Sequence, residues 1–228
     1  MENPALQKKS IRCGVWRRGH GYDHVDGYTT IPAWSRGKKP FNQLSPMILG
    51  PILLIEPLPL RPGFQMSADG KETVMECPLF ENYWQGNKIY NCDLIDPAKG
   101  LTVENLTDAF WERRAKVLSS TEPVRRSLPK AKYGVPIASY YKGEILGYVA
   151  ARKLFYCPWY AYMVTCHPVF VELQKRYDAG EKLLIVGPDG YDKDVDLNRD
   201  VLAWLIEDTS RPFGHELVIC GMLMGINY

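Results

Sequence analysis

The chain lacks several features that would assign it quickly. Its 228 residues carry a formal net charge of only +2, so charge alone argues for neither nucleic acid nor a membrane as partner. There is no C-x-x-C and no close cysteine pair. The six cysteines (13, 77, 92, 157, 166 and 220) are scattered, a pattern that fits buried thiols in a reducing compartment better than a disulfide framework. No apolar run is long enough to span a bilayer: the longest, Met47 to Leu60, is interrupted by Pro51, Pro57 and Pro59 and carries Glu56. Met1 is followed by polar residues rather than a signal-peptide pattern. Internal repeats and low-complexity tracts are absent. A soluble, cytoplasmic protein is expected.

What is present is an ordinary globular composition, 46% hydrophobic and 24% charged, in a chain long enough for a substantial core. Short basic clusters do occur, at Lys8-Lys9, Arg17-Arg18, Arg36 to Lys39 and Arg125 to Lys132. The periodicity predicts a helix-rich α+β single domain with a small sheet. Residues 1–40 read as a loop-rich extension with one short strand over Ile11 to Arg17, and 41–228 as the main domain.

Strands are expected over Ile48 to Ile55, over Glu72 to Cys77 returning against it, and over Lys182 to Gly187. Helices are expected over Phe80 to Tyr90 and from a Thr102 cap to Leu118. Others follow over Glu144 to Tyr156, from Pro158, over Pro168 to Tyr177, over Leu197 to Glu207 and over His215 to Met224. Because strands do not alternate regularly with helices, a doubly wound parallel fold is not expected.

Four places carry residues suited to chemistry. In the Phe80 to Tyr90 helix, Glu81, Gln85 and Lys88 fall at i, i+4 and i+7, one stripe beside Tyr83, Trp84 and Tyr90. Such a stripe is either a solvated helix face or the polar lining of an aromatic pocket. A carboxylate beside an amine can act as an acid–base pair, and a lysine in an apolar setting can become a nucleophile. The loop His20 to Asp26 holds two histidines and two aspartates, yet no metal-ligand spacing fixes their geometry, and a polar glycine-rich loop is the expected reading. Asp189 to Asp196 follows the Lys182 to Gly187 strand, where a carboxylate commonly faces a crevice; calcium is rejected because the EF-hand glycine and terminal glutamate are missing. Arg211 and His215 flank the start of the last helix, a place suited to a phosphate.

The stretch Glu81-Asn82-Tyr83-Trp84-Gln85-Gly86-Asn87-Lys88-Ile89 resembles the E-H-Y-x-Q-x-x-K-F helix of the YbiA-like (NADAR) superfamily, with Asn82 where the family has histidine. Three further segments follow the family's order. These are Phe41 to Pro46 with Pro51-Ile52, His167 to Leu173 followed by Leu183 to Val186, and Gly214 to Leu217 with Gly221 to Met224. The resemblance implies an α+β YbiA-like domain that hydrolyses N-glycosidic bonds without metal or cofactor. Its substrate would be a ribosyl-phosphate nucleotide of nucleotide metabolism or an ADP-ribosyl adduct of guanine, free or on nucleic acid. Carried over by position, it implies Glu81, Lys88 and Asp189 as catalytic residues. Tyr83 and Trp84 would wall the pocket, Gln85 and Asn87 would orient the substrate, and Arg36, Arg211 and His215 would meet phosphates. Two rivals remain open: a non-catalytic ADP-ribose or nucleotide-binding module, and a nucleic-acid-interacting protein whose aromatics stack on bases.

Overall fold

A computed structural model describes residues 9–228. The strands are β1 (Ile11–Arg17), β2 (Gly21–Tyr22), β3 (Thr29–Pro32), β4 (Ile52–Pro57), β5 (Gln65–Met66), β6 (Glu72–Cys77), β7 (Lys88–Ile89), β8 (Ala138–Tyr141), β9 (Glu144–Leu146) and β10 (Leu183–Gly187). The α-helices are α1 (Phe80–Gly86), α2 (Asp108–Leu118), α3 (Lys130–Tyr133), α4 (Tyr148–Ala151), α5 (Cys157–Thr165), α6 (Pro168–Asp178), α7 (Arg199–Glu207) and α8 (His215–Leu223). The fold is therefore α+β. Among the described residues no helix is long and apolar enough to cross a membrane. The described residues divide into two compact units, 9–46 with 157–228, and 47–156.

In the first unit, β10 is the spine of a four-stranded sheet ordered β2-β1-β10-β3. All five β10 residues, Leu183 to Gly187, are buried, the continuous apolar run of a strand covered on both faces. β10 pairs in parallel with β1, from Ile11↔Leu183 to Val15↔Gly187, and with β3, from Leu183↔Thr29 to Val186↔Pro32. One expectation is corrected here. The early residues are not a loop-rich extension, because β1 and β3 pair with a strand about 170 and 150 positions downstream, Ile11↔Leu183 and Thr29↔Leu183. The sheet core is parallel, yet helices do not alternate with its strands along the chain, so the fold is not doubly wound, as expected. Helix α8 packs on β10 and β1, with α5, α6 and α7 against it. α6 starts at Pro168, where the missing N–H is harmless, and the His167 ring accepts from the Val169 N–H. α7 is capped by Asn198, whose side chain accepts from Val201 N–H at 2.9 Å.

The second unit holds two antiparallel sheets, β4-β6-β5 and β7-β8-β9. The expected β4–β6 return is present, in register from Ile52↔Cys77 to Pro57↔Glu72. α2 is capped by Thr107, which accepts from Phe110 N–H at 3.2 Å, and not by Thr102, which opens a single 3-10 turn. Helix α1 packs on α2 at Gly86, where a Cβ would stand 3.3 Å from both Leu118 Cδ2 and Val117 Cγ1. That close approach explains a glycine inside a helix, where it costs up to about 1 kcal/mol against alanine.

The helix expected to reach Tyr90 stops at Gly86. Asn87 is its C-cap: the side-chain Nδ2 donates to the Tyr83 carbonyl at 2.7 Å, and the backbone is the last in the right-handed helical region (φ −83°, ψ −4°) before β7. β8 then takes up the following backbone, with Lys88↔Ser139 and Ile89↔Ala138. The helix expected over Glu144 to Tyr156 is also shorter. β8 and β9 form a hairpin through Lys142-Gly143, both at positive φ (47° and 91°) as a type I′ turn requires. α4 follows, and then a π-helical turn over Arg152–Tyr156.

Candidate functional site

The stripe is assembled in the second unit from two elements instead of one. Glu81 lies in the first turn of α1, where its charge opposes the helix dipole favourably. One turn later the Gln85 amide Nε2 donates to Glu81 Oε1 at 2.8 Å. That bond orients the amide, so its Oε1 is an acceptor; it is buried and has no hydrogen-bond partner among the described residues. Lys88 reaches the same region from β7, its ammonium 5.2 Å from the Trp84 ring centroid. Glu81, Trp84 and Lys88 are half-buried and Gln85 is buried, so the stripe is neither a free helix face nor core.

Aromatic rings back it. Trp84 meets Phe155 edge-on at 5.3 Å and Tyr156 at 4.9 Å, and Tyr141 stacks on Phe155 at 4.8 Å. Phe155 and Tyr156 belong to the π-helical turn, a distortion often found beside functional sites. Sequence reasoning missed these two residues and Tyr141. Phe155 and Tyr156 fall in a segment that looked like an ordinary helix, and Tyr141 lies just before it, so none carried a local signal.

Two assigned residues are structural and not pocket-facing. Tyr83 is 1% exposed and packs on Phe155 at 4.6 Å; burial, and then the Glu56 charge, push its phenol well above the usual range. Asn87 is fully buried and committed at both ends, donating to Tyr83 and accepting from Arg114 Nε at 2.7 Å. Arg114 also bonds Glu56, and the Tyr140 hydroxyl lies 3.4 Å from Glu56 Oε2. Burial and the Glu56 charge raise the Tyr140 phenol to about 12. This buried network anchors the Asn87 turn and so sets where Lys88 emerges. Asn82, at the expected histidine position, is buried too: its amide donates to the Ser120 and Glu122 carbonyls and accepts from Val124 N–H.

The other four assigned residues, Asp189, Arg36, Arg211 and His215, lie in the first unit. Asp189 is exposed in the loop after β10. Arg211 Nη2 donates to the neighbouring Gly190 carbonyl at 2.5 Å, and its guanidinium lies 4.6 Å over the Tyr191 ring. Gly190 is obligatory, because a Cβ there would strike the Gly14 carbonyl of β1. Arg36 is exposed in the segment after β3.

His215 is not placed to meet a phosphate. Its ring is buried, and Nε2 lies 2.6 Å from the Ala33 carbonyl. A carbonyl only accepts, so Nε2 carries a proton and is spent. Nδ1 faces Glu216 Oε2 at 3.4 Å. Glu216 was not singled out by the sequence, yet it is the more unusual group. Its carboxyl is fully buried where Cβ atoms on Gly187 or Gly214 would collide with it, and neither oxygen has a hydrogen-bond partner among the described residues. Burial raises its pKa, and the Asp189 charge adds to the effect. His215 and the backbone N–H groups of Asp189 and Glu216 pull the other way without reaching hydrogen-bond geometry.

The His20 to Asp26 loop does not gather ligands. Asp23 accepts from Val15 N–H at 2.7 Å and from Arg17 at 3.2 Å, while His24 pairs with Asp26 at 3.4 Å. Among the described residues no three His, Cys, Asp or Glu side chains are grouped as metal ligands. No family model, curated protein or solved structure matches the chain.

Proposed function

We propose that this chain hydrolyses an N-glycosidic bond, in a ribosyl-phosphate nucleoside or an ADP-ribosyl adduct of guanine, with Glu81 and Lys88 as the reacting groups. One observation carries the reading: a carboxylate oriented by a buried amide (Gln85 to Glu81, 2.8 Å) shares one half-buried, aromatic-backed region with the Lys88 ammonium. In such a hydrolysis the C1–N bond breaks, water supplies the new C1 hydroxyl, and the departing base takes up a proton. Glu81 is the group that can move that proton. Lys88 either stabilises the developing charge or attacks C1 of an opened sugar to form an imine that water then releases. Trp84 offers a flat face for the base or the sugar.

The test is chromatographic. Purified protein is incubated with ribosylaminopyrimidine phosphates, ADP-ribosyl-guanosine and single-stranded DNA bearing ADP-ribosylated guanine. Release of free base or ADP-ribose is expected, and Glu81→Gln or Lys88→Ala should abolish it with the melting midpoint nearly unchanged. Loss of activity through unfolding of either variant refutes the catalytic roles. Asn82 favours a second reading. The position that is histidine in the resembling family is occupied here by a side chain spent on the Ser120 to Val124 backbone, which suits a binding module that has lost its chemistry. Ligand-dependent stabilisation without product would select that reading.

A further inference from the structure

At the amino-terminal edge of the parallel strands in the first unit lies an open cavity of about 600 Å³, lined by Ser10, Arg12, Tyr28, Glu181, Lys182 and Asp196 with Gly27 and Gly180. It is at the opposite end of the sheet from Asp189 and His215. Ser10, Tyr28 and Lys182 each immediately precede one of the three parallel strands β1, β3 and β10, so the sheet register brings them side by side. A volume of this size is in the range of small-molecule sites.

The side chains are held, and their spare capacity can be counted. Asp196 Oδ1 takes three donors: Ser10 Oγ at 2.6 Å, Arg12 Nε at 2.7 Å and the Tyr28 hydroxyl at 2.7 Å. Those bonds, Arg12 foremost, hold the Asp196 carboxyl well below the usual carboxylate range. Both Glu181 oxygens are used, by Arg176 at 2.6 and 2.7 Å and by Thr29 at 2.5 Å. Arg12 Nη1 donates to the Lys193 carbonyl at 3.3 Å. Unused bonding capacity remains at Arg12 Nη2, at Asp196 Oδ2 and at the Lys182 ammonium, which has no carboxylate partner among the described residues. Two cations lie within 6.0 Å of one ring, Arg12 at 4.6 Å and Lys182 at 6.0 Å from the Tyr28 centroid, and the Asp196 carboxylate is bonded to Arg12 alone of the two. Counting Arg176 with Glu181, the surroundings are left with one positive charge in excess.

We propose that this cavity binds a small oxyanion carrying a hydroxyl group. The anionic oxygens take the Lys182 ammonium and Arg12 Nη2, and the hydroxyl donates to Asp196 Oδ2. A divalent cation is disfavoured, because Asp196 is already bonded to a guanidinium and Glu181 to another.

The probes are glycerol 3-phosphate, glycerate, inorganic phosphate and glycerol, titrated at low ionic strength into the full isotope-labelled chain and followed by backbone amide shifts. Glycerol 3-phosphate is expected to move the Gly27, Gly180 and Lys182 amides and to bind more tightly than inorganic phosphate, with no effect from glycerol. Binding by glycerate instead identifies carboxylate as the preferred oxyanion and also supports the site. Lys182→Gln should weaken binding by up to about fivefold, the worth of one exposed charge pair. It should leave the melting midpoint in place, since Lys182 is exposed. Lys182→Arg should retain binding. No shift at those amides with either oxyanion, or unchanged affinity in Lys182→Gln, overturns the proposal. Equal affinity for glycerol 3-phosphate and inorganic phosphate overturns the Asp196 contact.

Discussion

Replacing Arg114 with methionine tests the network beneath the stripe. The Arg114 and Glu56 side chains are each 1% exposed, so neither charge is screened by water. Arg114 bonds Glu56 and Asn87, and its guanidinium lies 4.8 Å from the Tyr140 ring centroid and 5.1 Å from that of Phe64. Methionine approximates the stem but leaves the Glu56 carboxylate buried with its cation gone, a penalty of about 3–5 kcal/mol. Asn87 Oδ1 also loses its donor, adding about 1–3 kcal/mol if nothing replaces it. Relaxation and water entry reduce the sum, and a loss of about 3–5 kcal/mol overall is expected, a large share of a typical folding free energy. The double variant Glu56→Gln/Arg114→Met should recover part of that loss, because the uncompensated charge goes with the glutamate. The assay is urea unfolding followed by tryptophan fluorescence, aided by Trp84 and Trp111 in the same unit. A single-variant loss below about 1 kcal/mol, or a double variant as unstable as the sum of the singles, refutes the buried-charge reasoning.

Two further outcomes are specific. Glu216 has a raised folded-state pKa, so its protonated form stabilises the fold. That contribution is complete below the unfolded value near 4.3 and is lost as pH rises through the folded pKa. The stability of wild type minus that of Glu216→Gln should therefore fall with rising pH above that point, by up to about 1.4 kcal/mol per unit; a flat difference from pH 4 to 7 refutes the assignment. Gly190→Ala should lower the melting midpoint through a cost of about 1–3 kcal/mol, because its Cβ would stand 2.6 Å from the Gly14 carbonyl carbon and backbone must move to admit it. An unchanged midpoint would show that the loop is not seated on β1.

What was legible in the sequence follows the range of the signal. β10 was readable as an apolar run, β6 as the return of a hairpin, and α6 from Pro168 at its start and Gly180 (φ 90°) past its end, because each is specified by its own residues. The parallel pairing of β1 and β3 with β10 was not, since partners so far apart in sequence leave no local mark. The stripe illustrates both sides. Glu81 and Gln85 meet because i and i+4 are neighbours on any helix, and the 2.8 Å bond follows from spacing. Lys88 shares their region by a different route. Helical spacing would place it at i+7, but Asn87 ends the helix, and β8 sets where the lysine emerges. Asn87 does so because Arg114, twenty-seven residues on, holds its other end. Polar residues at 82, 87 and 215 invite a functional reading from sequence, yet burial commits each to backbone or buried partners. Glu216 reverses the error: an unremarkable letter beside a histidine becomes a buried acid only because two glycines, at 187 and 214, leave room for it. The distinction between a polar side chain that serves the fold and one that keeps bonding capacity for a ligand is made by its partners. By that measure Gln85 Oε1 and the Lys182 ammonium, not Asn87 or His215, are the groups with capacity left to offer.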